Sequence, residues 1–207
     1  MSQVLEKPEV AAGDDVLCRP PVRPMTREEF ERAGELGIFR PEERLELIGG
    51  EVIAKVTPQR TPHATAVSLA AEALGRAFPS GHHVRVQLPL ALGPHNEPEP
   101  DLAVVIGSAR DYKVQHPVTA VLVVEVADTT LRLDRGKKAS LYARAGIGDY
   151  WLVNLQDGVL EVHREPAAME DQPFGHHYRN VARHSPPAGV TPLAALGVTI
   201  AVTDLLP

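Results

Sequence analysis

Apolar residues recur along this chain with two periods, and the switches between them outline its elements. Residues 1–24 show neither period; they are rich in proline and charge and are expected to form a flexible arm. Thr26-Arg27-Glu28-Glu29 has the form of a capping box, which predicts a helix running to about Gly37. LELIGGEVIAKV splits at Gly49-Gly50 into two alternating runs, the pattern of a hairpin. Thr61-Pro62 opens a second helix, with Ala66, Leu69, Ala70, Ala73 and Leu74 on one apolar stripe. HVRVQLPLAL and PDLAVVI are expected strands, and TAVLVVEVA, apolar on both faces, is the expected central one. A third helix is predicted from about Arg135 to Ala145, ended by Gly146. DYWLVN and VLEVHRE then form a hairpin across Asp157-Gly158, and FGHHYRNVA and GVTIAV add further strand-like pieces. The order of elements implies one α/β (α+β) domain over residues 25–207, a mixed sheet flanked by helices.

Composition changes this picture little. A length of 207 residues suits one domain with a sizeable core. No apolar run is long enough for a membrane span, and the first residues lack the apolar core of a secretory signal. A single cysteine, Cys18, fits a reducing cytoplasm. The net charge of -6 argues against nucleic acid until it is located. Residues 1–51 hold 12 acids and 7 bases, so the remainder is close to neutral. From Arg132 to Arg144 five bases face one acid, Asp134, which is either a solvated helix face or a footprint for phosphates.

The informative anomaly is Glu125, a carboxylate inside the greasiest strand. A buried ionised carboxylate has to be paired or metal-bound. If PDLAVVI pairs antiparallel with TAVLVVEVA so that Ile106 faces Ala120, an assumed register, Asp101 falls opposite Glu125. Opposed residues share a face with Cβ atoms about 5 Å apart, so a cation between the two acids relieves their repulsion. Oxygen donors without a nearby cysteine favour Mg²⁺, or Mn²⁺, over zinc. Taken singly, Asp101 can simply start a strand or turn, Glu125 can be an edge residue reaching water, and Lys138 is most often a solvent-facing helix residue. Acid, acid and lysine in that order across strand, strand and helix are more specific than any one of them.

The segment EVADTTLRLDRGKKASLYARAGIGDYWLVN resembles the signature of the Uma-type restriction endonucleases, a branch of the PD-(D/E)xK nuclease superfamily. The likeness extends through RLELIGGEVIAKVTPQRTPH and PEPDLAVVI and covers roughly residues 25 to 165. It implies a restriction endonuclease-like fold and a metal-dependent endonuclease acting on DNA. By the same resemblance Asp101 and Glu125 match the metal-binding acids, Glu46 an upstream acid, and the Val126 carbonyl a further ligand. Lys138 matches a catalytic lysine that has migrated into the next helix, four residues after Asp134; Ala127 stands where the commoner lysine position lies. Asp128-Thr129 replaces the usual serine-proline, and Asn154 replaces a frequent aspartate, read as structural. His63, Arg135, Lys137 and Tyr142 are candidate substrate contacts, against capping, solvated or core-packing roles for each. Cleavage of both strands of a duplex needs two sites, hence an expected homodimer.

Two rival chemistries are weaker. His82-His83 and His176-His177 are adjacent pairs, without the i,i+4 spacing of a helical zinc motif. GIGD lacks the pattern of a phosphate loop. The remaining alternative keeps the fold and drops the catalysis: a nuclease-like module that binds nucleic acid or protein.

Overall fold

The capping box closes as the sequence predicts. Thr26 Oγ1 accepts from the Glu29 N–H at 3.2 Å, and the Glu29 carboxylate accepts from the Thr26 N–H at 2.9 Å, starting α1 (Arg27–Glu35). The computed structural model describes residues 22–55 and 60–207, so most of the expected N-terminal arm lies outside the described residues. β1 (Leu45–Ile48) and β2 (Glu51–Ala54) form the predicted hairpin. Gly49 and Gly50 turn it with φ of 66° and 77°, the doubly positive pair that a tight hairpin turn requires.

α2 (Thr61–Ala77) begins at Thr61 with proline in its first turn and buries Ala66, Val67, Ala70, Ala73, Leu74 and Ala77. Leu69, expected in that stripe, is only half-buried; Val67 takes its place. Next come β3 (His82–Val86), β4 (Leu102–Ile106), β5 (Leu122–Ala127), β6 (Asp149–Asn154), β7 (Val159–Ala168) and β8 (His176–His184). They make one six-stranded sheet in sequence order, with β5 and β6 parallel and the other pairs antiparallel. A parallel pair needs a crossover, and the helical run between Leu131 and Arg144 supplies it. β9 (Gly189–Val190) and β10 (Ile200–Ala201) pair separately, so GVTIAV yields only a two-residue strand.

Two expectations need correcting. β3 stops at Val86, well short of the predicted HVRVQLPLAL. Gln87 adopts φ 51°, its N–H goes to the Asp101 carbonyl, and the extended run ends there. The third helix starts near Leu131 instead of Arg135 and is not uniform. α3 (Leu131–Leu133) passes into a π-helical turn (Asp134–Lys138) before α4 (Ala139–Arg144). The Ala139 N–H reaches back five residues to the Asp134 carbonyl, which widens the turn.

The core has two halves, one on each face of the sheet. Leu122, Val124 and Val126 of β5 pack with α2 and the C-terminal segment. Ala103, Val105 and Val123 pack on the other face with Ile48 of β1 and Leu141 and Tyr142 of α4. Strand alternation therefore puts Glu125, like Val123, on the face shared by the hairpin and α4.

Candidate active site

Four acids and one lysine from separate parts of the chain meet there, all nearly inaccessible: Glu46, Asp101, Glu125, Asp134 and Lys138. Glu46 comes from β1, Asp101 from the residue before β4, Glu125 from β5, and Asp134 and Lys138 from the π-helical turn. The observed pairs Leu102↔Val124, Ala103↔Val123 and Val104↔Leu122 continue to Asp101 opposite Glu125, which is the register assumed from the sequence. The Asp101 N–H lies 3.4 Å from Glu125 Oε2, and the Val126 N–H donates to Asp101 Oδ2 at 2.9 Å.

Lys138 is the counter-charge of this group. Its Nζ stands 2.9 Å from Glu125 Oε1, 3.3 Å from Glu46 Oε2 and 3.9 Å from Asp134 Oδ1. Burial disfavours its charged form, but the field of Glu125, Glu46 and Asp134 outweighs burial and raises the pKa, so it stays an ammonium. Asp101 is likewise ionised. Burial pushes it up, yet the His63 hydrogen bond and the Val126 N–H hold it at about 2. Glu125 is raised by burial, partly offset by Lys138. Asp134 is pushed up to about 7 by burial and by Glu125, although the Thr130 hydroxyl donates to it. One lysine does not neutralise four acids, and burial first, with the neighbouring acids second, keeps Glu125 and Asp134 raised.

Each sequence-derived candidate has a definite place. His63, on the first turn of α2, puts Nε2 3.3 Å from Asp101 Oδ2, and that contact raises its pKa. Val126 lines the same cavity. Tyr142 is fully buried and donates to Glu125 Oε1 at 2.7 Å, so it orients a carboxylate and does not reach a substrate. Arg135 pairs with Glu161 through Nε at 2.9 Å and through Nη2, away from the cavity, and Lys137 pairs with Glu51. The structure does not bring Arg135, Lys137 or Tyr142 to the cavity wall. Asn154 bonds Asp157 and Glu161, a structural role.

Gln87 escaped notice in the sequence. Its amide donates to Asp101 Oδ1 at 3.2 Å from a left-handed backbone that non-glycine residues seldom adopt. The only sequence signal was Pro89 two residues on, a warning that HVRVQLPLAL does not continue as a ladder. The cavity holds about 410 Å³, with the acids and Lys138 in its lining and Arg44, Lys55 and Arg60 among the other lining residues.

The donor chemistry suits a hard divalent cation: oxygens alone, a surplus of buried negative charge and an adjoining cavity. Among the described residues, however, no three acidic, histidine or cysteine side chains stand together as a ready-made metal shell. Asp101 and Glu125, with Glu46 beside Lys138, are the groups that fit such an ion. Among those residues too, no helix is long and apolar enough to cross a membrane.

Comparison with known proteins bears on the fold and the family. A crystal structure from Anabaena variabilis, described as "a putative nuclease belonging to DUF820", superposes with a TM-score of 0.64 at 19% identity. The match covers 88% of this chain and 97% of that one, and at that identity it establishes a shared fold. No curated protein matches the chain. The family model described as "Putative restriction endonuclease" matches residues 27–203, and the chain belongs to that family, Uma2.

Proposed function

We propose that the protein is a metal-dependent endonuclease that hydrolyses phosphodiester bonds in DNA. The observation that carries this reading is the convergence of Asp101, Glu125, Glu46 and Lys138 at one cavity from four elements distant in sequence. Asp101 and Glu125 would hold Mg²⁺ or Mn²⁺, with Glu46 and the Val126 carbonyl as further donors. Such an ion would supply positive charge to offset the acids and polarise a phosphoryl oxygen.

The chain's own groups do the rest. Asp101, held at about 2, remains a carboxylate throughout the working pH range. His63, Gln87 and the Val126 N–H fix its orientation. Lys138, its pKa raised, is a poor proton acceptor, so its contribution is electrostatic: a fixed ammonium beside the charge that grows on the phosphate. Tyr142 holds the Glu125 oxygen that Lys138 also touches. Cutting both strands of a duplex calls for two such sites, which a homodimer supplies, and a cytoplasmic enzyme fits the single cysteine.

The test is cleavage of duplex DNA, single-stranded DNA and RNA with Mg²⁺ and with Mn²⁺. Asp101→Asn, Glu125→Gln and Lys138→Ala are each expected to abolish it, and cleavage that survives in all three sinks the assignment. A second reading, a nuclease-like binding module, is favoured by one observation: Lys138 already pairs with Glu125 and Glu46. Wild-type inactivity with every substrate and both metals, alongside retained binding, selects it.

A further inference from the structure

The cavity is polarised. Its acids and Lys138 are buried, whereas three other lining residues are basic and open to solvent: Arg44, Lys55 and Arg60, with side chains 39%, 22% and 65% exposed. Arg44 precedes β1 and Lys55 follows β2, and the Lys55 N–H donates to the Arg44 carbonyl at 2.8 Å, so the hairpin base holds the two together. Arg60 is the N-cap residue of α2, next to the turn that carries His63. Among the described residues their acidic partners are too few to neutralise them. One carboxylate, Glu99, serves both Arg44 at 3.5 Å and Lys55 at 3.9 Å, and Arg60 has Asp128 at 3.7 Å. The long contacts of Arg44 and Arg60 are weak and readily exchanged, whereas Lys55, whose Nζ also donates to the Glu99 carbonyl at 2.5 Å, is held in place beside them.

We propose that Arg44, Lys55 and Arg60 form a phosphate-binding wall that grips the substrate strand beside the bond to be cut. This rests on the acid site being the one that hydrolyses the phosphodiester. A mononucleotide offers nothing to the wall once its only phosphate is at the acids. A strand offers the next phosphate along, and the basic side chains exchange their long carboxylate contacts for it. The substrate is therefore a polynucleotide, and the wall explains how an acidic protein approaches one: the basic side chains stand together on the more exposed wall of the cavity, while Glu46, Asp101, Glu125 and Asp134 are buried. Phosphate contacts of this kind set register and affinity and carry no base sequence.

The experiment measures binding of fluorescein-labelled duplex DNA, single-stranded DNA and RNA of one sequence by anisotropy. A chelator prevents turnover. Each phosphate contact to a duplex contributes about 0.9 to the slope of log K against log salt. Between about 50 and about 200 mM salt, one contact accounts for a roughly 3.5-fold loss of affinity, and three for about 40-fold. Arg60→Gln, at an exposed position, is expected to shed the first factor. The triple variant with Arg44→Gln and Lys55→Gln should shed the second, its fold verified by circular dichroism. Arg32→Gln, which removes the same charge on α1, should leave the salt dependence at the wild-type value. The nucleic acid with the largest wall-dependent term is the substrate class.

The wall is overturned if Arg60→Gln keeps the wild-type salt dependence, if Arg32→Gln reduces it equally, or if wild type binds none of the three at low salt. Cleavage is scored separately. Binding that depends on Arg60 without cleavage refutes the nuclease reading and leaves the wall only as a nucleic-acid contact; cleavage with binding indifferent to Arg60 keeps the nuclease reading and refutes the wall.

Discussion

Replacing Lys138 with methionine removes a charge while keeping an unbranched apolar stem of similar length. In the native protein the ammonium is 3% exposed and lies within 4 Å of three acids: 2.9 Å from Glu125, 3.3 Å from Glu46 and 3.9 Å from Asp134. Removing one partner from a buried ionic group strands the others, at a cost of about 3–5 kcal/mol. The cost should depend on pH, because the stranded acids can take up protons. Asp134, pushed to about 7 by burial and Glu125, is already above its unfolded value. A raised carboxyl contributes stability that is present below the unfolded pKa and lost as pH climbs toward the folded one. Lys138 adds no slope of its own here, since its raised pKa matters only at alkaline pH.

Without Lys138, Glu125 loses the attraction that offsets its burial and retains a proton to higher pH. One extra proton held by the folded variant steepens its stability loss by about 1.4 kcal/mol per pH unit. The gap between wild type and variant should therefore widen as pH rises from about 5.5 to about 8, by at most about 1.4 kcal/mol per pH unit. Urea unfolding in metal-free buffer measures it, with Trp151, the chain's one tryptophan and fully buried, as the fluorescent probe. A gap under about 1 kcal/mol at the higher pH, or equal gaps at both, refutes the role of Lys138 as the buried counter-charge.

Other expectations follow from the same geometry. Mg²⁺ or Mn²⁺ at about a hundred times its dissociation constant should stabilise wild type by about 2.7 kcal/mol, a rise in Tm of roughly 5–10 °C. Asp101→Asn should abolish that rise in a thermal scan. Tyr142→Phe strips Glu125 of a donor and should cost about 1.5–3 kcal/mol in urea unfolding while slowing cleavage with an unchanged circular dichroism spectrum. Gln87→Gly and Gln87→Ala both lose the donor to Asp101 and should both cut more slowly, but glycine accepts φ 51° freely. The glycine variant should therefore be the more stable of the two by about 1 kcal/mol in the same unfolding assay. Arg135→Ala leaves Glu161 without its bidentate partner, and a loss of about 1–3 kcal/mol is expected, with cleavage little changed.

Much of this was legible in local signals. The capping box at Thr26, the Gly49-Gly50 hairpin and the proline start of α2 depend on contacts between residues a few positions apart, which sequence displays directly. The pairing of Asp101 with Glu125 rested on an assumed register, Ile106 opposite Ala120, and the strand pairing follows that register. The departures share a cause. Gln87 leaves the ladder to serve Asp101, and the widened turn at Asp134–Lys138 interrupts a helix that periodicity made regular. Local preference yields at both places because burial of the acid group outweighs it.

The sequence by itself determined the fold class, the family likeness and which acids and lysine to suspect, since strand alternation and a carboxylate in an apolar run are properties of the chain order. Only the tertiary structure decided what those residues touch. It assigned Tyr142 to Glu125, Arg135 to Glu161 and Lys137 to Glu51, and it brought Arg44, Lys55 and Arg60 to the cavity of Lys138. The physical reason is that Coulomb energy and hydrogen bonding fall off over a few ångströms of space. Residues dozens of positions apart become partners only when the sheet, the hairpin and the crossover helix have set that distance.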